Sequence, residues 1–120
     1  MTKTESYRDL IVWQKAMDLA VELYRLTSKF PAPETYRLVS QITRAAASIP
    51  ANIAEGGARA TPKDYANFLS IAKGSLTEAE TLLTLAIRLN YLTQENAQYA
   101  LNLSTEVGKM LTVLRRRLTD

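Results

Sequence analysis

Apolar residues recur at spacings of three and four over most of the chain, the period of an amphipathic helix packed on one side. Val12, Ala16, Leu19, Leu23 and Leu26 form a first stripe, widened by Trp13, Met17, Ala20 and Tyr24, with Gln14, Asp18, Glu22 and Arg25 opposite. Leu38, Ile42, Ala45, Ile49 and Ile53 form a second. A third runs through Tyr65, Phe68, Leu69, Ala72, Leu76, Ala79, Leu82, Leu83, Ala86 and Leu89, and a fourth through Ala97, Ala100, Leu103, Val107, Met110, Leu111, Leu114 and Leu118. No segment alternates with period two, so no sheet is expected. The pattern predicts helices over about 10–28, 34–55, 62–89 and 94–118 in a single domain. Connections this short imply antiparallel neighbours, hence an all-α, up-and-down four-helix bundle.

Punctuation supports those limits. Asp9 is a plausible N-cap for the first helix, after a polar stretch over residues 1–8 that is expected to fray. Phe30-Pro31-Ala32-Pro33 ends it, because a residue before proline is pushed out of the α region. Thr61-Pro62-Lys63-Asp64 starts the third helix with a capping hydroxyl, a first-turn proline and a first-turn carboxylate. Thr93 caps the fourth. Gly56-Gly57 suits a left-handed C-terminal cap of the second. Gly74 interrupts the third at a cost of about 1 kcal/mol relative to alanine, and close approach of another helix at Gly74-Ser75 is the simplest reason.

The second helix carries the unusual feature. Pro50 falls inside the apolar register, removing one amide and crowding the Ala46 carbonyl, so a kink is expected near Pro50. Its other face holds Arg37, Gln41, Arg44, Ser48, Asn52 and Glu55 at helical spacing. That stripe reads as a solvated face, as a hydrogen-bonded seam to another subunit or, with less support, as a small-molecule site. The seam reading groups Gln41, Ser48, Pro50, Asn52, Glu55, Gly56, Gly74, Ser75 and Glu78.

Composition narrows the chemistry. The chain has neither cysteine nor histidine, which removes thiolate sites and the Glu-x-x-His di-iron motif of helical bundles. Glu78 and Glu80 stand two apart on a helix and do not face each other. No metal or cofactor is expected. There is no run of ~18 apolar residues to span a bilayer and no secretory leader pattern at the N-terminus, so a cytoplasmic location is the expectation.

Net charge is +3, from 15 basic and 12 acidic residues. Arg115, Arg116 and Arg117 account for all of it. Cations in a last helical turn are favoured by the helix dipole, which explains one or two of them. Three in succession also suit phosphates or an acidic partner. In a ring of copies they would repeat as a charged rim. Arg37, Arg44, Arg59 and Lys63 are weaker candidates for the same role.

Several segments carry a family resemblance. They are Leu10-Ile11-Val12-Trp13-Gln14-Lys15-Ala16, Phe30-Pro31, Gln41-Ile42-Thr43-Arg44-Ala45-Ala46, Ser48-Ile49-Pro50-Ala51-Asn52-Ile53-Ala54-Glu55-Gly56, Phe68-Leu69 and Ala72-Lys73-Gly74-Ser75 with Glu78. Together they resemble the four-helix-bundle family named for 23S rRNA intervening sequences. The likeness covers roughly Tyr7 to Leu92, with Ala79 smaller than the usual large aliphatic. It implies an up-and-down bundle, commonly a homopentameric ring, similar in fold to the accessory protein of diversity-generating retroelements. It implies no catalytic activity. The expectation is a non-enzymatic oligomer that binds RNA or DNA through basic residues. A protein-interaction scaffold with no nucleic-acid role is the alternative.

Overall fold

The computed structural model describes residues 6–120. Four helices follow one another: α1 (Ile11–Thr27), α2 (Leu38–Gly57), α3 (Pro62–Arg88) and α4 (Gln94–Thr119). Each packs on its neighbour in the chain, and α4 closes the bundle against α1. The backbones of the diagonal pairs, α1 with α3 and α2 with α4, stand farther apart among the described residues. This is the up-and-down topology, drawn out to 49 × 24 × 22 Å. The core is aliphatic: Leu19, Leu23, Ile42, Ile49, Ile53, Leu69, Leu83, Val107 and Leu111 are almost wholly enclosed.

The predicted stripes form most of that core, and the departures lie at their edges and ends. Leu89 is exposed at the end of α3. Glu22, expected on the solvent side of α1, is buried. Its carboxylate accepts two hydrogen bonds from Arg25, 2.8 and 2.6 Å long, a bidentate pairing that offsets the desolvation of the charge. Met17 and Tyr24, placed at the edge of the α1 stripe, lie open with Val21 as an exposed apolar strip.

The helix ends differ in informative ways. Asp9 does not cap α1. It belongs to a 3-10 turn over Tyr7–Asp9, capped by Ser6, whose hydroxyl accepts from the Arg8 amide at 3.0 Å. That turn sets Tyr7 edge-on to Trp13 with centroids 5.2 Å apart, so the chain is ordered here, not frayed. The first five residues of the expected frayed stretch lie outside the described residues. α2 starts at Leu38, not near Glu34, because Ala32–Glu34 form a separate 3-10 turn. Glu34 is fixed from two sides: its carboxylate accepts from the Leu38 amide at 3.3 Å and from the Tyr91 hydroxyl at 2.7 Å.

Gly56-Gly57 is not a left-handed cap. No glycine has positive φ, and α2 runs through both. Gly56 instead serves a close crossing, since a Cβ there would stand 2.9 Å from both Phe68 Cβ and Tyr65 Cδ1. The left-handed residue is Asn90, at φ 64°. The Tyr91 amide donates to the Ala86 carbonyl and the Asn90 amide to the Ile87 carbonyl, both at 3.0 Å, which is the Schellman closure of α3. Thr61 and Thr93 cap as expected, accepting from the Asp64 and Asn96 amides at 3.1 and 3.0 Å. α2 continues as one helix through Pro50, which is buried.

Candidate nucleic-acid interface

Three of the described basic residues are ion-paired, and five of those that are not gather along one helix seam. The three ion pairs among the described residues are Lys15 with Glu106, Arg25 with Glu22 and Arg59 with Glu55, at 2.8, 2.6 and 2.9 Å. None involves Lys63, Lys73, Lys109, Arg115 or Arg116. Those five line a continuous groove along the α3–α4 seam.

Helical periodicity builds the groove. On α3, Lys63, Asn67, Ser70, Gly74 and Thr77 follow three-and-four spacing, with Lys73 alongside. On α4, Thr105, Gly108, Thr112, Arg115 or Arg116, and Thr119 do the same. The two rows are set against each other over a central section of about 560 Å³, lined by Ser70, Lys73, Gly74, Thr77, Thr112, Arg115, Arg116 and Thr119. The small residues leave room between the helices while the long cations rise from the rims.

Two contacts cross the groove. Arg115 Nε donates to Ser70 Oγ at 2.6 Å, and Lys73 Nζ donates to Thr112 Oγ1. Thr112 in turn donates its hydroxyl proton to the Gly108 carbonyl at 3.0 Å. A hydroxyl acceptor orients a cation without cancelling its charge, unlike a carboxylate. Carboxylates stand only toward the two ends of the groove, Asp64 and Glu80. Partial burial pushes the Glu80 carboxyl above the usual carboxylate range. No aromatic side chain lines the three sections, so there is no platform on which a base can stack.

Of the residues expected from the sequence, the fold gathers Arg115, Arg116 and Lys63 here. Arg117 points elsewhere, beside Leu10, Ile11 and Met110 at the α1–α4 seam. Arg59 lies near the same end of the bundle but is engaged, pairing with Glu55 and lying 4.6 Å over the Phe68 ring. Arg37 precedes α2 at the opposite end, three residues from the Glu34–Tyr91 contact. Arg44 is exposed on α2, away from the groove. Lys73, Lys109, Ser70 and Thr112 were missed. Their signal was the facing pair of small, hydroxyl-rich rows, visible only once α3 and α4 are known to be adjacent.

The polar stripe on α2 also divides. Ser48 Oγ and Ser75 Oγ are hydrogen-bonded at 2.8 Å, and Asn52 Nδ2 donates to Ser48 Oγ at 2.9 Å and to the Ser48 carbonyl at 2.8 Å. These three residues form a half-buried seam between α2 and α3 within one chain. Gln41, Glu55 and Glu78 are exposed and take no part in it. Gly74 meets nothing: a Cβ there would have no neighbour within 4 Å, so the close approach expected at this glycine is absent from the single chain. Among the described residues no cluster of His, Cys, Asp or Glu is arranged to hold a metal ion, and no helix is long and apolar enough to cross a membrane.

A sequence profile described as 23S rRNA-intervening sequence protein matches residues 8–113. The chain belongs to that family. No curated protein matches it. Among solved structures, it is similar to a crystal structure described as a protein of unknown function from the S23 ribosomal protein family of Bacteroides thetaiotaomicron. That likeness has 31% identity and a TM-score of 0.79, covering 88% of this chain and 98% of the other. Family membership and the four-helix architecture therefore agree.

Proposed function

We infer that this intervening-sequence family protein is a non-enzymatic, self-associating bundle that binds the phosphate backbone of RNA or DNA through the α3–α4 groove. The observation that carries the reading is the gathering of five cations along one groove. Lys63, Lys73, Lys109, Arg115 and Arg116 share one groove without an ion pair; Arg8, Lys29, Arg37, Arg44, Arg88 and Arg117 are also outside the ion pairs among the described residues but do not line that groove. Cations left unneutralised and gathered along a cleft are what a polyanion requires. The absence of stacking platforms in the groove favours duplex, whose bases are already stacked, over single strands.

Self-association is supported by exposed apolar side chains. Met17, Val21 and Tyr24 stand at i, i+4 and i+7 on α1, with Ile71 and Leu85 open on α3 and Leu89 open at its C-cap. The same surfaces would serve the alternative, a protein-interaction scaffold.

The test is binding of a labelled duplex RNA and a duplex DNA across a salt series. Five phosphate contacts per chain give a limiting slope of log affinity against log salt of about −4.5. A wild-type protein that binds neither probe at low salt would refute the nucleic-acid reading. A strictly monomeric mass in solution would refute self-association.

A further inference from the structure

Gly74 is the feature left without an account. It lies exposed in the middle of a 27-residue helix, has no positive φ, and faces open space. Its cost to the helix, about 1 kcal/mol relative to alanine, is not offset by any contact within the chain. What surrounds it is specific: Lys73 and Arg115, each tied across the groove to a hydroxyl, with Arg116 and Thr77 beside them.

We propose that the space over Gly74 is a cradle for a single backbone phosphate, gripped by Arg115 and Lys73, with Ser70 and Thr112 as the residues that position those two cations. This assignment rests on the nucleic-acid reading above and narrows it to one subsite. The hydrogen-bond arithmetic supports it. Ser70 takes only Nε of Arg115, so both terminal guanidinium nitrogens have no partner among the described residues and are free for a bidentate phosphate contact. Lys73 gives one of its three N–H donors to Thr112 and keeps two. Thr112 has no proton left to offer an anion, because it is spent on the Gly108 carbonyl, so its part is to hold Lys73. The Ser70 hydroxyl has no acceptor among the described residues and can donate to the same phosphate. Two flexible cations fixed before the ligand arrives lose less side-chain entropy on binding. A glycine beneath them lets phosphate oxygens approach where a side chain would intrude.

The experiment uses the full chain and a labelled 20-base-pair duplex RNA of arbitrary sequence, with affinity measured from low to moderate salt. Arg115→Ala and Lys73→Ala should each weaken binding and reduce the magnitude of the salt slope by about 1. Ser70→Ala and Thr112→Val remove no charge. They should weaken binding several-fold at every salt concentration with the slope unchanged. A merely structural hydroxyl would move only the thermal midpoint. Gly74→Leu fills the cradle from an open position. It should keep or raise thermal stability, keep the assembled mass, and weaken binding about tenfold or more. Wild-type affinity in both Ser70→Ala and Gly74→Leu, alongside weakened Arg115→Ala, would overturn the cradle and leave the groove reading standing. Loss of binding in Gly74→Leu together with a changed assembled mass would also overturn it, since the glycine would then serve a contact between copies. No duplex binding by the wild type would remove the reading and the cradle together.

Discussion

Two glycines inside helices should respond to the same substitution in opposite directions. Gly74→Ala adds a methyl group that meets nothing within 4 Å. The helix propensity difference then acts alone, stabilising the fold by about 1 kcal/mol. Gly56→Ala gains the same propensity but places its Cβ 2.9 Å from Phe68 Cβ and Tyr65 Cδ1, and 3.3 Å from the Tyr65 carbonyl oxygen. Phe68 Cβ and the Tyr65 carbonyl are held by the α3 backbone and cannot swing aside, so α2 and α3 must separate locally. Overpacking of this kind costs about 1–3 kcal/mol, which makes Gly56→Ala neutral to destabilising by about 2 kcal/mol. Urea denaturation at several protein concentrations measures both, with an unchanged m-value showing that midpoint shifts report stability. In a thermal scan the Gly74→Ala gain corresponds to about 3–5 °C for a chain of this size. Equal stabilisation by the two substitutions would refute the close crossing at Gly56. A loss of stability in Gly74→Ala would refute the open space over Gly74.

Three further outcomes follow from the geometry. Alanine at Arg115 or Arg116 should weaken duplex binding more than alanine at Arg117, and alanine at Arg37 should leave it unchanged; equal losses at all four, measured at one salt concentration, would contradict the groove. Ser75→Ala removes the hydroxyl bonded to Ser48 and should cost about 0.5–1.5 kcal/mol in urea denaturation, with no change in duplex affinity. Glu80→Gln should stabilise the protein at neutral pH and have no effect in acid. The Glu80 carboxyl is raised in the folded state by burial, so its contribution is fully present below the unfolded carboxylate pKa and is lost as pH rises through the folded value. Stability against pH for the wild type and the glutamine variant checks the sign, and a larger benefit in acid than at neutrality would sink the argument.

Much of the architecture was legible because it depends on periodicity. The stripes led by Leu19, Ile42, Leu69 and Val107 had only one face to bury, and short connections left one topology. The misreadings fell where local chemistry is ambiguous. Two adjacent glycines advertise a left-handed cap, yet Gly56 is needed for proximity to Tyr65 and Phe68, and proximity is set by a helix that begins six residues later. The left-handed turn fell to Asn90, a residue type that, after glycine, is among the most tolerant of that conformation. The start of α2 moved from Glu34 to Leu38 because Glu34 spends its carboxylate on capping Leu38 and binding Tyr91, 57 residues away. Glu22 looked like a solvent residue because its partner Arg25, three positions on, makes burial affordable.

The interface was only partly legible for a related reason. Arg115, Arg116 and Arg117 are alike as letters, but successive residues on a helix turn by about 100°. The first two therefore face α3 and the third faces α1. A run of charge in sequence is not a patch in space; the patch is assembled from residues at helical spacing on two chain-adjacent helices. Lys63 and Lys73 join Arg115 and Arg116 because α3 and α4 run antiparallel, bringing the start of one beside the end of the other. Hydroxyls sit where carboxylates would ordinarily balance these cations. Replacing Ser70 by aspartate should therefore fold as well as wild type, pair with Arg115, and abolish duplex binding at moderate salt. Retained binding in Ser70→Asp would show that the charge of Arg115 is not what the groove supplies.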